Sequence, residues 1–240
     1  VLHVDDEALP GAVAALDKLR ESGLPLRFLT NTTRSPRQRI VNMLRGMGFA
    51  VAAEDVQTAV LATRHLVRQR QLRPFYLVHP DIAGEIGASH ADPDAVVLGD
   101  AGQYFTFDAL NTVFRLLMQG LPFIAMARNR YFKERDGLTL DMGAFVSALE
   151  FSTGKTAEIV GKPAAPFFLS ALEELGVAPG EAILIGDDLS DDIGGAQAAG
   201  IPGILVRTGK YRPADESHPS ICPAVIADDF AAAVELILRR

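Results

Sequence analysis

Short apolar runs alternate with helix-periodic segments along this chain, and that alternation admits few folds. PGAVAALDKLRESG sets Val13, Leu16 and Leu19 on one face and stops at Gly23, which predicts a helix. LRFLTN then reads as a buried strand of the parallel-sheet type. SPRQRIVNMLRGMG predicts a second helix, with Ser35 as N-cap, Pro36 in first position and Val41, Leu44 and Met47 inward. Further on, AEIVGKP, AILIGDD and PGILV read as strands, with PFFLSALEELG and DIGGAQAAG as helices between them. Such β-α alternation specifies an α/β fold with a doubly wound, Rossmann-like parallel sheet. The middle of the chain repeats the rhythm with strands of its own, FYLVH, AVVLGD and PFIAMA. ATRHLVRQRQ and FDALNTVFRLLMQG lie beside them, and MGAFVSALEFSTG closes the segment. The expected division is a core of residues 1–56 and 157–240 with an α/β insertion at 57–156.

Charge narrows the partners. The 240 residues carry a formal net charge of -7 with no basic cluster, which argues against nucleic acid and anionic membrane. It leaves phosphorylated small molecules open, because the local field decides that. Cys222 is the single cysteine, so no internal disulfide can form, and it reads as a thiol in a reducing compartment. No apolar run approaches the ~20 residues of a membrane span. The opening VLHVDDEALPG lacks the regions of a signal peptide. A cytoplasmic location is the expectation.

In open α/β sheets ligands bind at the carboxyl ends of strands, and three polar features fall there. Thr30-Asn31-Thr32 follows LRFL: hydroxyls and turning N–H groups that could cradle a phosphate. Alone, the triplet reads more readily as ordinary turn capping. In Gly161-Lys162-Pro163 the lysine could neutralise a phosphoryl oxygen, or be a surface lysine in a tight turn. The third feature, GDDLSDD, packs Asp187, Asp188, Asp191 and Asp192 behind a very apolar strand. Crowded carboxylates raise one another's pKa unless a cation sits among them, and hard oxygens at a strand end suit Mg2+. N-capping by Asp191 or Asp192 of a helix starting at Ile193 would explain one aspartate, not four. His3, His65, His79, His90 and His218 are scattered without metal-ligand spacing.

The order FLTNTT, GKP, GDDLSDDIGGAQAAG resembles motifs two, three and four of the haloacid dehalogenase superfamily, and the resemblance covers essentially the whole chain. The insertion resembles the type-II cap of subfamily IIA. ARNRYFKERDGLTLDMGAFVSALE is similar to its substrate-facing stretch, although Asn129, Arg130, Tyr131 and Lys133 read equally as a solvated loop. VRTGKYRPADESHP is similar to a branch of phosphatases within that subfamily. The resemblance implies a phosphatase acting on small phosphorylated substrates: phosphomonoesters, pyrophosphate or phospho-amino acid P–N bonds. An aspartate would attack phosphorus, and a second, two positions later, would act as acid and then base. It implies Mg2+ held by Asp187, with Asp188 and Asp192 supporting it directly or through water. Thr30 and Asn31 would hold the phosphoryl group with Thr32 close by, and Lys162 would pair with nucleophile and phosphate. A cap covering the site is expected to set substrate choice, and a homodimer is compatible with the resemblance.

One departure stands out. The family's first motif, an apolar strand then D-x-D-G, would lie before Val1, with Val1-Leu2 fitting only the residues after that glycine. Asp5 and Asp6 follow no buried strand and read as loop carboxylates. Without the motif-one strand, a central sheet would keep unpaired backbone groups, each costing about 1–3 kcal/mol. The expectation is therefore an upstream segment that carries both aspartates, with this stretch alone inactive and Val1 close to Thr30, Lys162 and Asp187. The competing expectation is a non-catalytic binding module that has lost the nucleophile.

Overall fold

The computed structural model describes residues 1–4, 7–134 and 137–239, without the side chains of 133 and 134. Asp5, Asp6 and the Arg135-Asp136 pair of the substrate-facing stretch therefore lie outside the described residues. In chain order the elements are β1 (His3–Val4), β2 (Glu7–Ala8), α1 (Ala12–Glu21), β3 (Phe28–Thr30), α2 (Arg37–Gly46) and β4 (Val56–Thr58). Next come α3 (Ala59–Gln69), β5 (Pro74–Leu77), α4 (Ala83–Ile86), β6 (Ala95–Leu98), α5 (Phe107–Met118) and β7 (Phe123–Ala125). They are followed by β8 (Tyr131–Glu134), β9 (Gly137–Leu140), α6 (Gly143–Thr153), β10 (Glu158–Ile159) and α7 (Ala165–Leu175). The chain ends with β11 (Leu184–Gly186), α8 (Gly195–Ala198), β12 (Gly203–Val206), β13 (Val225–Ala227) and α9 (Phe230–Leu238). The fold is α/β with parallel sheets, as the alternation of apolar runs implies.

Two compact units form: Val1–Phe28 with Arg37–Val56 and Lys162–Arg240, and Leu29–Pro36 with Gln57–Gly161. In the first unit β11, β12 and β13 make a parallel sheet, with Ile185 opposite Ile204 and Leu205 opposite Ile226. Leu16 and Leu19 of α1, Val41 and Leu44 of α2, Phe49, and Phe230 and Val234 of α9 share one apolar core. Asp229 fixes the start of α9 by accepting the Ala232 N–H at 2.7 Å. Gly176 closes α7 in the left-handed conformation, φ 69°.

In the second unit four parallel strands lie in the order β10-β7-β6-β5. All four residues of β6 are fully buried, so that strand reads as a continuous apolar run. Val113 and Leu117 of α5 and Val146 of α6 join the same core. Thr58 and Thr106 cap α3 and α5, accepting the N–H groups of Leu61 and Ala109.

Several elements differ from expectation. β3 is half-buried rather than buried, and among the described residues it pairs with β4 in a two-stranded sheet. Glu158–Ile159, grouped by rhythm with the later strands, pairs with β7 of the second unit. α2 begins at Arg37. DIGGAQAAG does not form one regular helix: a wide π-helical turn, Leu189–Gly194, leads into the short α8. β13 and the β8-β9 hairpin carry no alternation clear enough to mark them as strands. No helix of the described residues is long and apolar enough to cross a membrane.

Leu16 is 1% exposed within the first unit's core. Leu16→Ala should lower the unfolding free energy by about 2–5 kcal/mol, read from urea unfolding curves.

Candidate active site

The acidic loop of the first unit is built on a close approach. β11 ends at Gly186, and a β-carbon there would overlap the Asp192 side chain. Only glycine lets the loop fold back so that Asp192 lies against the strand end. Asp192 is 6% exposed and its carboxylate is fully engaged. Oδ2 accepts the backbone N–H groups of Asp187 and Asp188, each at 3.2 Å, and Oδ1 accepts Lys162 Nζ at 2.6 Å. A buried charge is costly unless paired and hydrogen-bonded, and this one is both. Asp188, not Asp191 or Asp192, caps the turn that follows: its Oδ1 accepts from Ser190 N (3.1 Å) and Asp191 N (2.9 Å).

Cations surround these carboxylates. Lys162 precedes a cis peptide to Pro163. Burial pushes its ammonium toward neutrality, but Asp192, with Asp191 behind it, outweighs this and raises the pKa, so Lys162 stays charged. Lys210 Nζ lies 2.9 Å from Asp188 Oδ2, while its backbone N–H donates to Asp187 Oδ2 at 2.8 Å. Burial pushes Asp188 upward, yet the Asp191 N–H and the Lys210 ammonium hold it below the ordinary carboxylate value. Lys210 is raised in turn: burial pulls it down and Asp188 more than compensates. Gly209, at φ 58°, leaves no room for a β-carbon beside the Asp187 carboxylate. The Val1 nitrogen lies 3.3 Å from Asp187 Oδ1. Lys210 thus reaches both carboxylates, Asp188 through its ammonium and Asp187 through its backbone N–H.

Among the described residues no three His, Cys, Asp or Glu side chains are grouped to hold a metal unaided. Mg2+ does not require that, because it binds through one or two carboxylates with substrate oxygens and water. Asp187 and Asp188 supply two hard-oxygen groups, the second already beside the Lys210 ammonium, and that donor set fits Mg2+. Asp192 is the least exposed of the three, its side chain 9% accessible against 18% for Asp187 and 21% for Asp188.

The structure thus brings Lys162, Asp187, Asp188 and Asp192 together in the first unit. Thr30, Asn31 and Thr32 belong to the second. Thr30 Oγ1 lies 2.8 Å from Thr32 Oγ1 and accepts the Thr32 N–H at 3.2 Å, a tight side-chain turn. The Asn31 amide donates to Asn129 Oδ1 at 3.3 Å. Lys210 and Gly209 join the site without having stood out among the motifs. Their signal is nonetheless present: GILVRTGK repeats the apolar-strand, glycine, lysine order of EIVGK.

Comparison with known proteins agrees with this architecture. Residues 1–90 match a family model described as haloacid dehalogenase-like hydrolase, and 159–233 match a HAD-hydrolase-like model. Haloacid dehalogenase-like hydrolase domain-containing protein 2 of Bos taurus is 45% identical over 243 residues, covering 100% of this chain and 93% of that protein. Phospholysine phosphohistidine inorganic pyrophosphate phosphatase of Xenopus laevis is 43% identical over 234 residues, covering 96% of this chain and 87% of that one. Among solved structures, 4-nitrophenylphosphatase of Thermotoga maritima superposes with a TM-score of 0.92 at 28% identity, covering 98% of this chain and 93% of that chain. The chain belongs to the haloacid dehalogenase-like hydrolases, in subfamily IIA, the class whose parallel-sheet core carries an inserted α/β cap.

Lys162→Met would leave the buried Asp192 without its cation, and should cost about 3 kcal/mol in urea unfolding. Asp188 has a depressed pKa, so its pairing stabilises the fold at neutral pH and is lost as pH falls through the folded-state value. The destabilisation caused by Lys210→Met should therefore shrink on acidification below about pH 4, seen by repeating the unfolding curves along a pH series.

Proposed function

We propose that the protein is a Mg2+-dependent phosphatase of small phosphorylated compounds, with phosphomonoesters, pyrophosphate and phospho-amino acid P–N bonds as the candidate classes. The observation that carries this reading is the charged Lys162, 2.6 Å from buried Asp192, which shares its loop with Asp187 and Asp188. An ammonium held rigid by a buried carboxylate is preorganised to meet a dianion, and fixed charge of that kind lowers barriers to phosphoryl transfer. The printed names of the relatives, a phosphohistidine and pyrophosphate phosphatase and a 4-nitrophenylphosphatase, support the same reaction class.

In this reading Asp187 and Asp188 hold Mg2+, which when bound offsets the repulsion between carboxylate and phosphate. Asp192 supports them by fixing Lys162 and the N–H groups of the loop. Thr30 and Asn31 bind phosphoryl oxygens, with Thr32 orienting the Thr30 hydroxyl. The nucleophile is an aspartate carried before Val1. It attacks phosphorus as the bond to the leaving oxygen or nitrogen breaks, and a second aspartate supplies the leaving group's proton. Water activated by that second aspartate then cleaves the acyl phosphate, releasing inorganic phosphate. We read Gln57–Gly161 as the cap that selects the substrate, and place the enzyme in the cytoplasm.

The test is phosphate release by the full-length protein from a panel of metabolites, pyrophosphate and phospholysine or phosphohistidine peptides. Turnover should stop on chelation and return with Mg2+. Asp187→Asn should raise the Mg2+ requirement by at least about 10-fold. Chelator-resistant turnover would remove the metal from the reading. Phosphate binding without turnover across the panel would favour the non-catalytic binding module instead.

A further inference from the structure

Leu29–Pro36 connects two elements, β3 and α2, yet its own packing is with the inserted unit. Asp100, two residues beyond the buried strand β6 and next to Gly99, is 4% exposed. Its Oδ1 accepts the Gly102 N–H at 2.8 Å and its Oδ2 lies 3.3 Å from Arg34 Nε. Its backbone N–H donates to Thr33 Oγ1 at 3.4 Å. Thr33 is itself buried, with its hydroxyl 4.0 Å from Met142 Sδ. The Arg34 guanidinium carbon stands 5.4 Å over the Phe132 ring. Thr33 and Arg34 directly follow Thr30-Asn31-Thr32, and Asn31 reaches Asn129 of the same unit.

A buried ion pair is a poor source of stability, since desolvation consumes most of its Coulomb attraction. An apolar residue after β6 would serve packing at least as well. What the pair does supply is direction: a carboxylate held by Gly102 fixes the guanidinium, and the guanidinium fixes the backbone next to the triplet. We infer that Asp100 is a positioning residue for the Thr30-Asn31-Thr32 phosphate loop, acting through Arg34 and Thr33, so that the insertion sets the loop's geometry. The inference rests on the phosphate-binding role proposed above for that triplet. It assigns to the insertion a task besides choosing the substrate: holding in place residues that bind the group common to every substrate.

The test uses full-length protein and three variants, Asp100→Asn, Arg34→Gln and the double substitution. Asp100→Asn keeps an acceptor for Gly102 and removes the buried charge, so it should melt near the wild type, whereas Arg34→Gln leaves the buried Asp100 carboxylate without its cation and should melt lower unless Asp100→Asn accompanies it. Each should weaken inhibition by inorganic phosphate and lower kcat/KM by about 10- to 100-fold, the scale of small misplacements of a binding group. The double variant should be no worse than the poorer single, because the two residues act as one unit. The Mg2+ concentration for half-maximal activity should not move, whereas general loosening of the fold would shift it too. Variants that bind phosphate like the wild type, or losses that multiply in the double, would overturn the inference. Should the wild type neither bind inorganic phosphate nor release it from any substrate, the proposed function falls. Amide hydrogen exchange over residues 29–36 then decides the positioning role alone: faster exchange in Asp100→Asn at unchanged melting temperature supports it, and unchanged exchange overturns it.

Discussion

The Lys162–Asp192 ion pair is the contact on which the acidic loop depends. Asp192 is buried, and two of the N–H groups it accepts belong to Asp187 and Asp188. The ammonium that neutralises it comes from far earlier in the chain, after an unrelated strand. Without the lysine, Asp192 would be a buried charge facing only dipoles. Without Asp192, the backbone that carries Asp187 and Asp188 would lose the acceptor of both N–H groups. One short contact thus joins two motifs that the sequence presents separately, and fixes the backbone that carries Asp187 and Asp188.

Much of this architecture is legible in the amino-acid sequence. The helices α1, α5, α6 and α7 follow from apolar spacing and a glycine stop, and α3 follows from apolar spacing alone. The strands β5, β6, β7, β11 and β12 follow from short apolar runs between helices. The departures are local. β10 has the composition of a core strand, but strand pairing is chosen by tertiary neighbours, and its partner is β7. In the acidic loop, an amphipathic pattern beginning at Ile193 points to Asp191 or Asp192 as the capping aspartate. The cap is Asp188 instead, because the chain leaves β11 directly into a π-helical turn that starts at Leu189.

The candidate site is legible as residue types and less so as roles. Asp187, Asp188 and Asp192 share one loop, but composition alone does not separate the paired Asp192 from the other two. Lys210 is harder to see because the loop bearing it follows β12, a strand whose apolar run accounts for itself by packing. That loop is tied down by Arg207, which bonds Glu216 and Asp228, and by Tyr211, whose hydroxyl lies 2.6 Å from Glu216 Oε1. These pairs are exposed, so each is a weak stabiliser; their combined effect is to limit where Lys210 can reach.

Gly186 and Gly209 approach the two carboxylates Asp192 and Asp187 from different elements, one at the end of β11 and one beyond β12. Each occupies a place where a single methyl group would displace a carboxylate. Directed evolution of this protein therefore meets unequal ground. Random substitution at either glycine is nearly always a loss, whatever residue arrives, whereas Tyr211 and Arg207, which pair with Glu216 and Asp228, can vary without entering that packed space. A library of altered variants is best drawn from those two positions, with Lys210 kept for Asp188 and the two glycines left unaltered as fixed points of the scaffold.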